Sequence, residues 1–186
     1  MDHFLEEVVV LRNRTVNDIL YILSWILMIA SALIGMMELT GSLSLVMSGQ
    51  AAFLDIVMDL ILGLLCAGVA VLMFFKNDEL KTEFEYTFTN GALDFAKVFN
   101  NKKRKNLGTL NVKNVDAFGK VESEVFQRYV SMKDVEQKRW FLNRGADLYF
   151  FYFQKDSKKS LIILEPSEEM VKNIQLYLPQ GVSLAK

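Results

Sequence analysis

Two stretches of this chain are apolar without interruption, and the region after them alternates. Residues 19–37 and 60–75 contain no charged residue. Each approaches the length that crosses a hydrocarbon layer of ~30 Å at a helical rise of ~1.5 Å per residue. From Thr82 the period falls to two: in "TEFEYTFT", Phe84, Tyr86 and Phe88 share one face while Glu83, Glu85 and Thr87 take the other, the pattern of a half-buried strand. Asn90-Gly91 suits a two-residue type I′ turn, because both positions tolerate positive φ. The returning strand "ALDFAKVF" then pairs Phe88 with Leu93 and Tyr86 with Phe95.

Further strands are expected at Leu107–Val112, Val115–Val121 and near Trp140–Leu142, and a second hairpin from Asp147–Gln154 and Ser160–Glu165. Residues 122–139 fit either an edge strand or a short helix. The chain ends in "EPSEEMVKNIQLYLPQG". Ser167 caps a helix, Glu168 and Glu169 favour its positive end, and Met170, Val171, Ile174, Tyr177 and Leu178 form one apolar face. In the aromatic run Tyr149–Phe153, alternate residues face opposite ways. One set fills the core and the other lies under the closing helix or marks a partner surface.

Charge changes the picture by separating two regions: 34 of the 43 Asp, Glu, Lys and Arg residues lie from Lys76 onward. The resulting division is an N-terminal cytoplasmic segment (1–18), a transmembrane helix (19–39), a short outside loop (40–52), a second transmembrane helix (53–75) and a cytoplasmic domain (76–186). A cleaved signal peptide fits poorly, because the first run is too long, its leader is acidic and a second span follows. Arg12 and Arg14 precede the spans, Lys76 and Lys81 follow them, and the connecting segment has neither Lys nor Arg. Both termini are therefore expected on the cytoplasmic side of the cell membrane.

The spans also carry carboxylates. Asp55 and Asp59 fall on the same helical stripe as Gly63, Ala67 and Ala70, while Ser24, Ser31, Gly35 and Glu38 form a matching stripe on the first helix. Small residues on such faces let helices approach closely in lipid. The stripes thus face each other or identical stripes of a second copy. The sharper alternative is that Glu38, Asp55 and Asp59 converge to hold a cation or share a proton. The single cysteine, Cys66, reads as a packing residue, and the single histidine, His3, as a solvated terminal residue.

The succession "TNGALDFAKVFNNKKRKNLGTLNVKNVDAFGKV" resembles the strand, basic turn, strand pattern of bacterial membrane-tethered pleckstrin-homology-like domains, and "EPSEEMVKNIQLYL" resembles their closing helix. The whole chain is similar to an uncharacterised bacterial family of two-span membrane proteins. The resemblance implies a mainly-β PH-like barrel of six to seven antiparallel strands with a C-terminal helix, placed after a membrane helical hairpin. It implies no known activity. Lipid-binding members typically use a basic loop between their first two strands, which on this reading is only Asn90-Gly91.

Residues 76–186 carry 19 Lys or Arg against 15 Asp or Glu. Lys102, Lys103, Arg104 and Lys105 concentrate that excess in one turn, either as a contact for anionic inner-leaflet lipid, worth ~1 kcal/mol per residue, or as a solvated turn. No phosphate loop, nucleophile elbow, HExxH helix or Cys/His cluster is present, so neither an enzyme nor a cofactor or metal is expected. Nucleic acid is not an expected partner. The expected partners are membrane lipids and a protein in or at the membrane, a second copy included. The leading function is a protein- or lipid-interaction module at the inner leaflet; the alternative is a small ion- or proton-handling membrane subunit.

Overall fold

The computed structural model describes residues 3–49, 52–182 and 184–185. The chain divides into two compact units, Asn13–Lys81 and a second built from the residues up to Arg12 together with those from Thr82 onward.

The first unit is a pair of helices, α1 (Thr15–Ser48) and α2 (Phe53–Lys76), closed by a 3-10 turn at Asn77–Lys81. Both helices are long and apolar enough to cross a membrane. Helix α1 runs nine residues past the end expected from sequence. The stretch from Thr40 to Ser48 is rich in Ser, Thr and Gly but has no proline to stop it. Its hydroxyls bond backward, Thr40 Oγ1 to the Met36 and Met37 carbonyls (2.9 and 3.0 Å) and Ser42 Oγ to the Leu39 carbonyl (2.9 Å), so no side chain competes for a new backbone path. Gly49 then ends the helix in the left-handed conformation (φ 66°). The expected 40–52 loop is thus corrected in that Thr40–Ser48 belong to α1; residues 50 and 51 lie outside the described residues.

At the opposite end of the pair, the Lys81 ammonium meets Asp18 (3.1 Å) and lies 4.5 Å from the Tyr21 ring centre. Asn17 Nδ2 donates to the Leu80 carbonyl (3.0 Å), and Ser24 is hydrogen-bonded to the side chain of Asn77. Tyr21 in turn meets Trp25 edge-on. This polar and aromatic clasp fixes where the helices begin and end.

The second unit holds two sheets. Strands β1 (Phe4–Val9), β2 (Thr82–Thr89), β3 (Ala92–Phe99) and β4 (Lys103–Asn111) form an antiparallel sheet in that order. The second sheet uses β5 (Ala117–Lys120), β6 (Val135–Trp140), β7 (Tyr149–Lys155), β8 (Lys158–Leu164) and the two-residue β9 (Leu184–Ala185), in the order β6-β8-β7-β5-β9. Helix α3 (Glu124–Val130) precedes β6, so the ambiguous segment 122–139 contains both a helix and a strand. Helix α4 (Glu168–Gln175) closes the unit, capped by Ser167 Oγ, which accepts from the Met170 N–H (3.2 Å).

The all-antiparallel barrel of six to seven strands is thus corrected. Among the described residues, eight strands and the short β9 make two sheets rather than a closed barrel, and the β6–β8 and β5–β9 pairs are parallel. The largest departure is β1. Residues expected to form a free cytoplasmic segment pair with β2 from Phe4↔Thr89 to Val9↔Phe84. His3 is not a solvated end: its N–H donates to Asn90 Oδ1 (2.9 Å), and its ring meets Tyr177 edge-on. The two helices therefore lie, in the chain, between neighbouring strands of one sheet.

Alternation places Phe84, Tyr86, Phe88, Leu93 and Phe95 on the main core with Phe118, Phe151, Ile162 and Leu164, under Met170, Val171 and Ile174 of α4. The other face of the second sheet buries Phe150, Tyr152, Leu161 and Ile163 against Phe126 of α3. Both sets of the aromatic run are covered, the second by α3 and not by the C-terminal helix. The Asn90-Gly91 turn has φ values of 50° and 93°, and a Cβ at Gly91 would sit 2.7 Å from Tyr177 Cδ1. Glycine is thus required there for conformation and for space.

Candidate functional site

The basic run lies where β3 returns as β4. Asn100 and Asn101 occupy left-handed positions (φ 49° and 53°), and the Lys102 N–H closes the turn on the Phe99 carbonyl (3.0 Å). Asparagine tolerates that conformation with little penalty. Strand β4 then begins at Lys103, so three of the four basic residues sit on a strand instead of in a turn. Alternation splits them. Arg104 pairs with Glu85 (2.8 Å) on the outer face, and the Glu85 side chain is only 18% exposed. Lys103 and Lys105 point the other way, opposite Phe99 and Lys97. Lys102, Lys103, Arg104 and Lys105 are all exposed, but they do not form one patch.

Lys97 shares the face of Lys103 and Lys105 and was not among the basic residues singled out from the sequence. It is the register partner of Phe84, on the core face, and its ammonium lies 4.9 Å from the Phe99 ring centre and 6.0 Å from that of Phe84. The signal was in the hairpin: extending the pairs Phe88–Leu93 and Tyr86–Phe95 by two residues puts a lysine where an apolar residue belongs.

The two sheets meet along a polar seam. Glu7 of β1 accepts from the Ser167 N–H with both oxygens (2.9 and 3.0 Å). The Tyr86 hydroxyl donates to the Trp140 carbonyl and accepts from the Glu165 N–H (3.3 Å). Asn143 Nδ2 reaches the Val10 carbonyl (3.0 Å) and Glu165 (2.9 Å), and Arg12 lies 3.7 Å from Glu165. Burial pushes the Tyr86 hydroxyl well above the ordinary phenol value, so it remains a donor. Burial also raises the Glu7 carboxyl, with Glu165 and Glu169 adding to it, against the opposing bonds from Ser167.

A raised carboxyl means that ionisation opposes folding, so the contribution of Glu7 to stability is complete below pH 4.5 and falls as pH rises through its folded value. Glu7→Gln is therefore expected to match the wild type near pH 4 and to equal or exceed it at pH 7. Because part of the side chain is screened by water, the gain stays below ~1 kcal/mol. Urea unfolding at both pH values checks this. A variant weaker at pH 7 alone would show that the Ser167 bonds outweigh burial.

The family model described as Bacterial PH-like domain (DUF6106) matches residues 1–184. The chain belongs to this family. No curated protein and no solved structure matches it. The match includes β1 and both helices. In this PH-like domain the first two strands are β1 and β2, so their connection is residues 10–81 and not the Asn90-Gly91 turn.

Within the helical unit of this PH-like protein, Ser31, Gly35 and Ser42 of α1 are buried with Gly63 and Ala70 of α2, and Ala67 is half-buried. A Cβ added to Gly35 would sit 3.1 Å from both the Ala67 nitrogen and the Gly63 oxygen. The small faces of α1 and α2 thus meet each other. Glu38 lies beside Gly63, whose added Cβ would be 3.3 Å from Glu38 Cβ. Glu38 and Asp59 are half-buried and Asp55 is exposed. Among the described residues no three His, Cys, Asp or Glu side chains are grouped as metal ligands.

Proposed function

We propose that this is a non-enzymatic protein of the cell membrane in which α1 and α2 cross the bilayer and hold the PH-like domain at the inner leaflet, where its basic strand end contacts anionic lipid. The observation that carries the reading is the pairing of β1 with β2 across the two helices. Strands that flank an insertion and share a sheet require the chain to cross a bilayer an even number of times. Arg12 and Arg14 before the helices, Lys76 and Lys81 after them, and the lack of Lys or Arg between select the cytoplasm for that side. The helices expose Leu, Ile, Val, Met and Phe almost all round, which suits lipid as solvent and is unfavourable in water.

The basic end supports the lipid contact through connectivity. Thr82, the first residue of β2, is registered with Phe99, and Phe99 with Lys103. The basic residues thus share the end of the sheet at which the chain arrives from α2, and each basic residue held close to an anionic leaflet contributes ~1 kcal/mol.

Topology is tested with single cysteines in a Cys66→Ala background of the full chain. Ser48→Cys is expected to react with a membrane-impermeant maleimide on intact cells, and Lys155→Cys only after permeabilisation. Reaction of Lys155→Cys on intact cells, or release of the wild-type protein by alkaline washing, contradicts the proposal.

A further inference from the structure

The register that splits the basic run also sets up a pairing that sheets avoid. Lys97 and Lys105 are direct partners across β3 and β4, and Lys103 stands on the same face opposite Phe99. Like charges directly opposite each other destabilise a sheet. Among the described residues neither lysine of the pair has an ion pair with an acid; the neighbouring carboxylate, Glu85, is held by Arg104 on the reverse face. The Phe99 and Phe84 rings beneath Lys97 moderate its charge without cancelling it.

We propose that Lys97, Lys103 and Lys105 form a binding site for a phosphate monoester. A monoester carries about 1.5 to 2 negative charges at neutral pH with three acceptor oxygens, whereas a diester carries about one. Three ammonium groups on one face of the paired ends of β3 and β4 supply point-charge donors matched to the former. The site deepens the proposed lipid contact and rests on it only where the monoester is a lipid headgroup, as in phosphatidic acid. A soluble monoester presents the same chemistry.

The test is native mass spectrometry of the full chain in detergent, titrated separately with phosphatidic acid, phosphatidylglycerol, phosphatidylcholine and glycerol 3-phosphate. The wild type is expected to retain phosphatidic acid at least about tenfold better than phosphatidylglycerol. Lys97→Gln with Lys105→Gln is expected to bring the two within about twofold, while Arg104→Gln leaves the preference intact. Thermal unfolding of the double variant serves as the folding control. Relief of the like-charge pair predicts a midpoint no lower than that of the wild type.

Equal retention of the two anionic lipids, both above phosphatidylcholine, overturns the monoester site and leaves the lipid contact standing. A preference for phosphatidic acid that survives the double substitution also overturns the site. Glycerol 3-phosphate binding that the double variant loses, with no preference for anionic over neutral lipid, upholds the site and overturns the lipid contact. Loss of every preference overturns both.

Discussion

Removal of residues 3–9 is expected to unfold the PH-like domain while leaving the helical pair in the membrane. β1 contributes the full ladder from Phe4↔Thr89 to Val9↔Phe84, and its loss strips one edge from the strand that carries the buried Phe84, Tyr86 and Phe88. It also removes Glu7, which satisfies the Ser167 N–H at the start of α4. Backbone bonds contribute ~0.5–1.5 kcal/mol each, and total stabilities are ~5–15 kcal/mol, so losing a six-residue strand consumes a large share. Trp140, packed 4.6 Å from the Phe95 ring centre, reports the outcome by fluorescence in a Trp25→Phe background. The truncated protein should show a solvent-exposed tryptophan and rapid proteolysis after Lys81. A native spectrum would return these residues to the status of a tail.

The second large effect is expected from Gly35→Val. The added Cβ meets backbone atoms of Ala67 and Gly63 at 3.1 Å, and backbone cannot rotate away as a side chain can. The helices must separate, which forfeits the contacts that Ser31, Gly63 and Ala70 make through close approach. Overpacking of this kind costs ~1–3 kcal/mol, with the branched side chain toward the upper end. Gly63→Ala should be milder, because its nearest neighbours are Leu39 side-chain atoms at 2.9 and 3.0 Å that can change rotamer. Resistance of the purified protein to unfolding by SDS ranks the three; equal resistance of Gly35→Val and the wild type would contradict the packing.

How much of this was legible in the sequence depended on whether each residue obeyed the rule of its element. "TEFEYTFT" alternates without exception, so β2, its turn and its register were readable, as was the capped apolar face of α4. β1 was hidden because "FLEEVV" breaks the alternation. Phe4 and Val8 point outward while Glu7 points toward the seam, and the partner strand lies beyond two helices. β6 was readable only as one of two options, edge strand or short helix, because "VEQKRW" is a polar edge strand that pairs in parallel with β8, where no hairpin turn announces it.

The same cause limited the site. Lys102, Lys103, Arg104 and Lys105 read as one turn by composition, yet the turn needs only Asn100, Asn101 and Lys102, and the strand period sends Arg104 away from its neighbours. Lys97 was legible in principle, through the register of the hairpin. The seam was not, because Glu7, Tyr86, Asn143 and Glu165 come together only once both sheets are assembled.

A designed disulfide probes, in native membranes, whether one sheet is completed across the helical insertion. Glu6 and Thr87 are register partners, and facing Cα atoms in antiparallel strands lie ~4.5–5.5 Å apart, within disulfide reach. In a Cys66→Ala background, Glu6→Cys with Thr87→Cys should form an intramolecular disulfide in high yield under mild oxidation, and Glu6→Cys with Asp116→Cys should not. If the first pair gave no bond, or only bonds between molecules, the N-terminal strand would not belong to this sheet.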